Sequence, residues 1–254
     1  MTTAGIQVSS LKAYLRTPEE VRSTFARLSA LGCRMVQLQW IDFSVSPRCI
    51  AEALREAGLY SVSTQDYYDV VMERMDYFLQ LNDLCGSTHI CVSGIPERYR
   101  SAEGCAAYAR ELTALSRRLQ AQGKVLSFHP RSQEYDRFDG TPGVQLLMEQ
   151  TPEEVCLGLD LYHVRKAGLD PAQWIRDYKD RIDFVHFKDS LPLPDGGQQL
   201  MPVGQGDTDW APVVRACLET EVPWAFAEQE RWQKDAFVCM AESFDWMLQQ
   251  GFRP

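Results

Sequence analysis

Glu134, Asp160, His186 and Glu228 are three carboxylates and an imidazole that recur at intervals of roughly one strand-plus-helix unit. Each follows an apolar run: 125–128 precedes His129 and Glu134, 155–159 precedes Asp160, 182–185 precedes His186, and 224–227 precedes Glu228. A lone Asp or Glu behind a strand is most simply a helix N-cap. Four such residues at four strand ends point instead to ligands that converge on one divalent cation at the mouth of a parallel barrel. Residues far apart in sequence share one cavity there, so spacing by strand replaces spacing by helical turn. The set is hard and rich in oxygen, which suits Mn²⁺, Mg²⁺ or Co²⁺ better than a thiolate-selective site, with Zn²⁺ as the alternative.

Positioning these groups requires strands that alternate with helices, and the chain has that rhythm throughout. Eight strands are predicted at 5–8, 35–40, 60–64, 88–92, 125–129, 155–160, 184–188 and 224–228, giving a (β/α)8 barrel. Thr17-Pro18-Glu19-Glu20 opens the first helix, with Thr17 as N-cap, Pro18 at the first helical position, Glu20 completing a capping box and Gly32 as the stop. Thr151-Pro152-Glu153-Glu154 has the same letters but runs straight into a strand, so it reads as a turn. Ala106, Ala109, Leu112, Leu115 and Leu119 give 102–122 a helical period that ends at Gly123. The 189–208 segment holds Pro192, Pro194, Gly196, Gly197, Pro202, Gly204 and Gly206, too many breakers for regular structure, and is expected as a long loop over the barrel mouth, either a lid or a connection. No linker or composition shift divides the chain, so residues 1–254 are expected to form one domain.

A formal charge of −9, from 35 acidic and 26 basic residues, argues against a polyanion-binding face and hence against nucleic acid. The eight cysteines form no CxxC pair and read as reduced thiols. The start, MTTAGIQVSS, has no basic-then-apolar leader, and no stretch approaches the ~18 apolar residues of a membrane span. A cytoplasmic location without membrane contact is the expectation.

His129-Pro130-Arg131-Ser132-Gln133-Glu134, Leu159-Asp160-Leu161-Tyr162-His163, Val185-His186-Phe187-Lys188-Asp189, Pro202-Val203-Gly204-Gln205-Gly206 and Ala227-Glu228-Gln229-Glu230 resemble successive motifs of the xylose-isomerase-like TIM-barrel superfamily. They are similar in particular to its sugar phosphate isomerase/epimerase branch, with inosose dehydratase-like and ketose 3-epimerase-like members. The C-terminal half carries the motifs; the N-terminal half matches only in its strand–helix rhythm. The resemblance implies a divalent metal held by Glu134, Asp160, His186 and Glu228, a small carbohydrate substrate and, as is common among such barrels, a homodimer. It further implies Glu134 and Glu228 as the acid/base pair of an isomerase or epimerase, moving a proton beside a metal-bound carbonyl through an enediolate.

Around that centre, the resemblance places His163 near substrate; its alternative is a helix-start His bonded to backbone. Lys188 lies two residues after His186, on the same side of an extended strand, and either holds a substrate oxygen or phosphate or pairs with Asp160 or Asp189. His129 is a candidate substrate contact. Arg131 stands where the family motif has a second His, which favours an anionic substrate, the alternative being a surface Arg paired near Glu134. Gln39, Trp40, Gln65 and Tyr67 have the types that line a sugar pocket, with barrel packing as the alternative for Trp40. His89 begins a strand and belongs to the opposite, stabilising end. Trp232, Phe237, Met240, Phe244, Trp246 and Phe252 form an apolar helical stripe for core packing or a subunit interface.

Three other activities compete. A metal-dependent lyase or dehydratase on a keto-sugar or keto-inositol shares the proton abstraction and differs in its outcome. An apurinic endonuclease-like DNA-repair enzyme requires more histidines than the four present, and Asp207-Thr208-Asp209 stands where a further His ligand would be needed. A non-catalytic sugar-binding barrel does not need all four ligands kept.

Overall fold

The apolar runs become the walls of a closed barrel of eight parallel strands in the computed structural model, which describes residues 1–138 and 140–254. The strands are β1 (Thr3–Gln7), β2 (Met35–Leu38), β3 (Tyr60–Tyr67), β4 (His89–Ser93), β5 (Val125–His129), β6 (Val155–Asp160), β7 (Ile182–Phe187) and β8 (Trp224–Ala227). They neighbour one another in chain order, and β8 returns to pair with β1. The expected (β/α)8 barrel is therefore the fold. β5 and β6 have the expected bounds, while the other six differ by one to three residues at an end. β2 ends at Leu38 because Trp40 turns the chain into the left-handed region at φ 56°.

Helices cover the outside. Pro18–Ala30 is capped by Thr17, whose hydroxyl accepts the Glu20 N–H. The expected reciprocal bond is absent, because the Glu20 carboxylate reaches past Thr17 to accept the Arg16 N–H at 2.8 Å and its guanidinium. Ala102–Gln120 buries Cys105, Tyr108, Leu112, Leu115 and Leu119 against the barrel and ends two residues before the expected last residue, Gln122. The C-terminal Ala236–Gln249 buries Phe237, Met240 and Phe244, and Trp246 packs against Phe187 and Trp210, so the stripe serves packing. All eight cysteines are free thiols.

The 189–208 segment is more regular than its composition suggests. Asp189–Pro192 pairs antiparallel with Gln198–Met201; Pro194, Gly196 and Gly197 form the intervening turn, where Asp195 accepts the Gly197 N–H and Gly196 takes φ 82°, and Pro202, Gly204 and Gly206 follow the second strand. Asp189, fully buried, then fastens the following stretch: its carboxylate accepts from Gly204 N, Gly206 N, Thr208 Oγ1 and Trp210 Nε1 at 2.7–3.0 Å. A side chain on Gly206 would run into that carboxylate, which is why the Val203-Gly204-Gln205-Gly206 sequence suits this place.

Inside the barrel, alternate residues face inward and stack in layers. Met35, Cys91, Phe184 and Phe226 form an apolar plug. Gly158 leaves room for Phe184, whose ring would meet any side chain there and instead lies 5.1 Å below the His186 ring. Since strand side chains repeat every two residues, the next inward positions above Phe184, Gly158 and Phe226 are His186, Asp160 and Glu228.

Candidate metal centre and barrel mouth

That inward layer is polar and almost wholly buried. His129, Asp160 and His186 each present a ligand atom within 4.8 Å of the others'. His129 Nε2 lies 3.2 Å from His186 Nδ1 and 3.8 Å from Asp160 Oδ2, and His186 Nδ1 lies 3.1 Å from Glu228 Oε2. Lys188, one layer higher on the same strand direction, brings its ammonium to 3.1 Å from Asp160 Oδ2, 3.0 Å from Glu228 Oε2 and 2.8 Å from Glu230 Oε1.

Each group is held by a second one. Gln7 Nε2 donates to Gln37 Oε1 at 2.8 Å, which fixes the Gln37 amide so that its oxygen faces His186 Nε2 at 2.6 Å. His186 Nε2 donates to that amide oxygen, and Nδ1 is turned toward Glu228 and His129. Ser9 Oγ donates to Glu228 Oε1 at 3.0 Å, leaving Oε2 for the centre. Asp160 Oδ1 accepts the His163 N–H at 3.1 Å, and Ser132 Oγ is hydrogen-bonded with His163 Nδ1 at 2.7 Å.

The electrostatics follow from burial and from one cation. Burial depresses His129, to about 3, with the neighbouring His186 adding to the effect, so this imidazole is neutral at physiological pH. His163 is likewise lowered to about 4, chiefly by burial. Burial, the largest influence, would raise Asp160 and Glu228, but the Lys188 ammonium and the neighbouring imidazoles together outweigh it, bringing Asp160 to about 2 and Glu228 well below the usual range. Lys188 is penalised by burial and held charged by Asp160, Glu228 and Glu230.

The residues fit a divalent ion. Asp160 Oδ2 and Glu228 Oε2 are buried acceptors without a well-angled hydrogen bond, paired with Lys188 as ions, and His186 Nδ1 lies 3.1 Å from the latter. Lone pairs from several buried groups turned toward one another are the arrangement that a cation relieves. Two imidazoles beside carboxylates also make the set softer than the one expected from sequence, a composition that Zn²⁺ shares with Mn²⁺ and Co²⁺.

Of the four ligands expected, Asp160, His186 and Glu228 come together and Glu134 does not. Glu134 lies in a short 3₁₀ turn, Ser132–Tyr135, five residues past the end of β5, and its side chain folds back over that turn. Oε2 accepts the Arg131 N–H at 2.6 Å and Oε1 the Ile95 N–H at 3.2 Å, with Arg100 and Arg131 nearby at 3.7 and 3.8 Å. Burial raises its carboxyl above the usual range despite those donors. His129, the last residue of β5, occupies the cluster instead. Lys188 pairs with Asp160, as one of its two expected partners, while Asp189 turns away to the 203–210 loop. The Arg131 guanidinium stacks 5.2 Å from the Tyr67 ring centre and lines a cleft of about 210 Å³ with Ser93, Gly94 and Arg100, beside the mouth. His163 and Trp40 line the mouth cleft itself, of about 360 Å³, above Lys188 and Glu230. Gln65 is buried and donates to Ser93 Oγ at 3.0 Å; Gln39 is buried beside Trp40. His89 sits at the opposite end, 3.6 Å from Asp183.

Sequence reasoning passed over Gln7, Gln37, Ser9 and Glu230. A signal existed for the first two: an amide in the middle of an otherwise apolar strand must find a buried partner, and both lie at inward positions.

Among the described residues no helix is long and apolar enough to cross a membrane. No curated protein matches the chain. Solved structures do. A sugar phosphate isomerase/epimerase from Parabacteroides distasonis is 18% identical with a TM-score of 0.78, over 97% of this chain and 93% of that one. The probable 3-DHS dehydratase AsbF of Bacillus anthracis, involved in petrobactin synthesis, is 14% identical with a TM-score of 0.72, over 98% of this chain and 99% of that one. The IolI protein with a bound zinc atom is 13% identical with a TM-score of 0.75, over 98% of each. At such identities these likenesses concern the fold. The sequence profile of the xylose isomerase-like TIM barrel matches residues 25–247, and the chain belongs to that family.

Proposed function

We propose that the protein is a divalent-metal-dependent isomerase or epimerase of a small sugar, keto-sugar or sugar derivative. The supporting observation is the convergence of His129, Asp160, His186 and Glu228 beneath an open cleft, with Lys188 between the carboxylates. Asp160, His186 and Glu228 would hold the metal, with His129 as the donor from β5. Such an ion, when bound, polarises a carbonyl and stabilises negative charge on its oxygen by several kcal/mol.

The chain's own groups supply the rest. Glu228, steadied at Oε1 by Ser9, presents Oε2 as the base that takes a proton from the carbon beside the carbonyl. Neutral His163, steadied at Nδ1 by Ser132 and with Nε2 3.6 Å from Asp160 Oδ2, lines the cleft and serves as the partner that returns or relays the proton. Lys188 donates to a substrate oxygen and keeps Asp160 and Glu228 ionised. In this arrangement Glu134 shapes the β5 turn rather than sharing the acid/base work. A homodimer in the cytoplasm completes the reading.

A lyase or dehydratase is the second reading, and one observation favours it: the Lys188–Glu230 pair at the cleft floor can deliver a proton to a departing hydroxide. The test combines metal analysis with proton exchange. About one Mn²⁺, Co²⁺ or Zn²⁺ per chain is expected by mass spectrometry of protein purified without chelator, and it should be lost or weakened in Glu228→Gln. In D₂O, a ketose and keto-inositol panel followed by NMR should show deuterium entering the carbon beside the carbonyl, with Glu228→Gln slower by about 10²–10⁴-fold. Loss of water from the substrate would replace the isomerase with the lyase; no metal uptake and no exchange would leave a binding barrel.

A further inference from the structure

The mouth cleft has a charge pattern at odds with the chain as a whole. Lys188, on its floor, is paired with Asp160, Glu228 and Glu230, a buried group with two negative charges in excess whose ion pairs are with Lys188 and not with the rim. Higher on the wall stand Lys12, from the turn after β1, Lys166, from the helix after β6, and Arg231, from the loop after β8. Among the described residues none of these three forms an ion pair with a carboxylate. Lys12 instead holds its ammonium 4.7 Å from the Trp40 ring centre, and Lys166 lies 5.7 Å from that of Tyr162. Both rings line the same cleft.

A protein with 35 acidic and 26 basic residues has carboxylates to spare for pairing. Three cations on different loops around one opening, none in an ion pair, repel one another, and they set a positive rim above the acidic floor. Trp40 adds a second sign of a built site: a bulky residue at φ 56° stores backbone strain, and its ring is thereby turned to the rim beneath Lys12. The arginines of the neighbouring cleft do not compete for this role, because Arg131 and Arg100 both face the Glu134 carboxylate.

We propose that the substrate carries an anionic group, a carboxylate or a phosphate, at the end remote from the reacting carbon, and that Lys12, Lys166 and Arg231 receive it at the rim while the carbonyl end reaches Lys188 and the polar layer. This rests on the mouth being the reacting site. An anion bridging these cations gains charge-assisted hydrogen bonds from donors that now meet only water and aromatic faces. A neutral sugar of the same length leaves them unpaired.

The test uses three matched ketoses, D-fructose, D-fructuronate and D-fructose 6-phosphate, titrated calorimetrically into the native protein and into the Lys12→Met/Lys166→Met double variant. Both positions are exposed, and a thermal melt checks that the variant folds. At least one anionic ketose should bind about 10-fold or more tightly than fructose, and the difference should fall below about 3-fold in the variant. The better of the two anions tells carboxylate from phosphate. Equal affinities, an anion preference untouched by the double substitution, or no binding of either anion would overturn the assignment. Deuterium exchange separates this from the isomerase reading: anion preference without exchange in any ketose sinks the reaction and keeps the rim, and exchange confined to neutral ketoses does the reverse.

Discussion

The two ends of the barrel each bury a histidine beside an aspartate, and they treat the pair in opposite ways. At the base, His89 Nε2 lies 3.6 Å from Asp183 Oδ2, Ser127 donates to that carboxylate, and Trp224 packs edge-on to the imidazole. Burial dominates there: it lowers His89 and raises Asp183, moving both toward their neutral forms. At the mouth, Asp160 is more deeply buried, yet its carboxyl is brought down to about 2. The difference is Lys188, an ammonium that the base lacks. Burial sets the cost of a charge, and a cation within about 3 Å decides whether the charge survives it. The mouth is thus an ionic layer kept charged for use, and the base a polar layer kept close to neutral for packing.

The largest break in this comparison comes from removing the cation. Lys188→Met leaves Asp160, Glu228 and Glu230 buried together without their counter-ion, and it should destabilise the metal-free protein by about 3–5 kcal/mol in urea unfolding. Added Mn²⁺ should then raise the melting temperature of the variant more than that of the native protein, because the ion replaces the lost positive charge. An unchanged urea midpoint would mean that the carboxylates were already protonated, and the contrast between the two ends would disappear.

Glu134→Gln sharpens the boundary of the ionic layer. Glu134 spends both oxygens on backbone N–H groups, Ile95 in the loop after β4 and Arg131 in the loop after β5, and an amide can accept through only one atom. The expected loss is about 1–3 kcal/mol of stability, with turnover falling less than about 10-fold, well short of the effect at Glu228. Matching losses in Glu134→Gln and Glu228→Gln would restore Glu134 to the acid/base pair.

This residue also marks the limit of what the sequence discloses. Period-two apolar runs, helix caps and breakers are local signals, and they suffice for the eight strands and their order. Asp160, His186 and Glu228 were legible because each stands at or next to its strand's end, where backbone geometry alone aims the side chain inward. Glu134 stands five residues beyond β5, and its direction depends on a turn that the letters do not specify; His129, at the strand end itself, was the position with a geometric warrant. Gln37 was hidden for a different reason. Its role, fixing the His186 proton, comes from a partner 149 residues away, and only closure of the barrel brings the two together. The 189–201 hairpin is obscured because its breakers fall in the turn, at a strand end and beyond the second strand, leaving two short strands free to pair.

The smallest effect is expected at the base, and with the opposite sign. Asp183 is raised in the folded protein, so its protonated form is the one that folding favours. A raised acid contributes stability that is fully present below its unfolded value, near 3.9, and is lost as pH rises through the folded value. Folding therefore works against the Asp183 carboxylate, and its partner His89 is itself pushed toward the neutral imidazole. Asp183→Asn keeps an acceptor for Ser127 and removes the charge, so it should stabilise the protein by about 1–2 kcal/mol at pH 7. That advantage should vanish in urea titrations near pH 3.5, where Asp183 is protonated in both states. A loss of stability at pH 7 would show that His89 is charged in the folded protein and that the base, like the mouth, is held together by an ion pair.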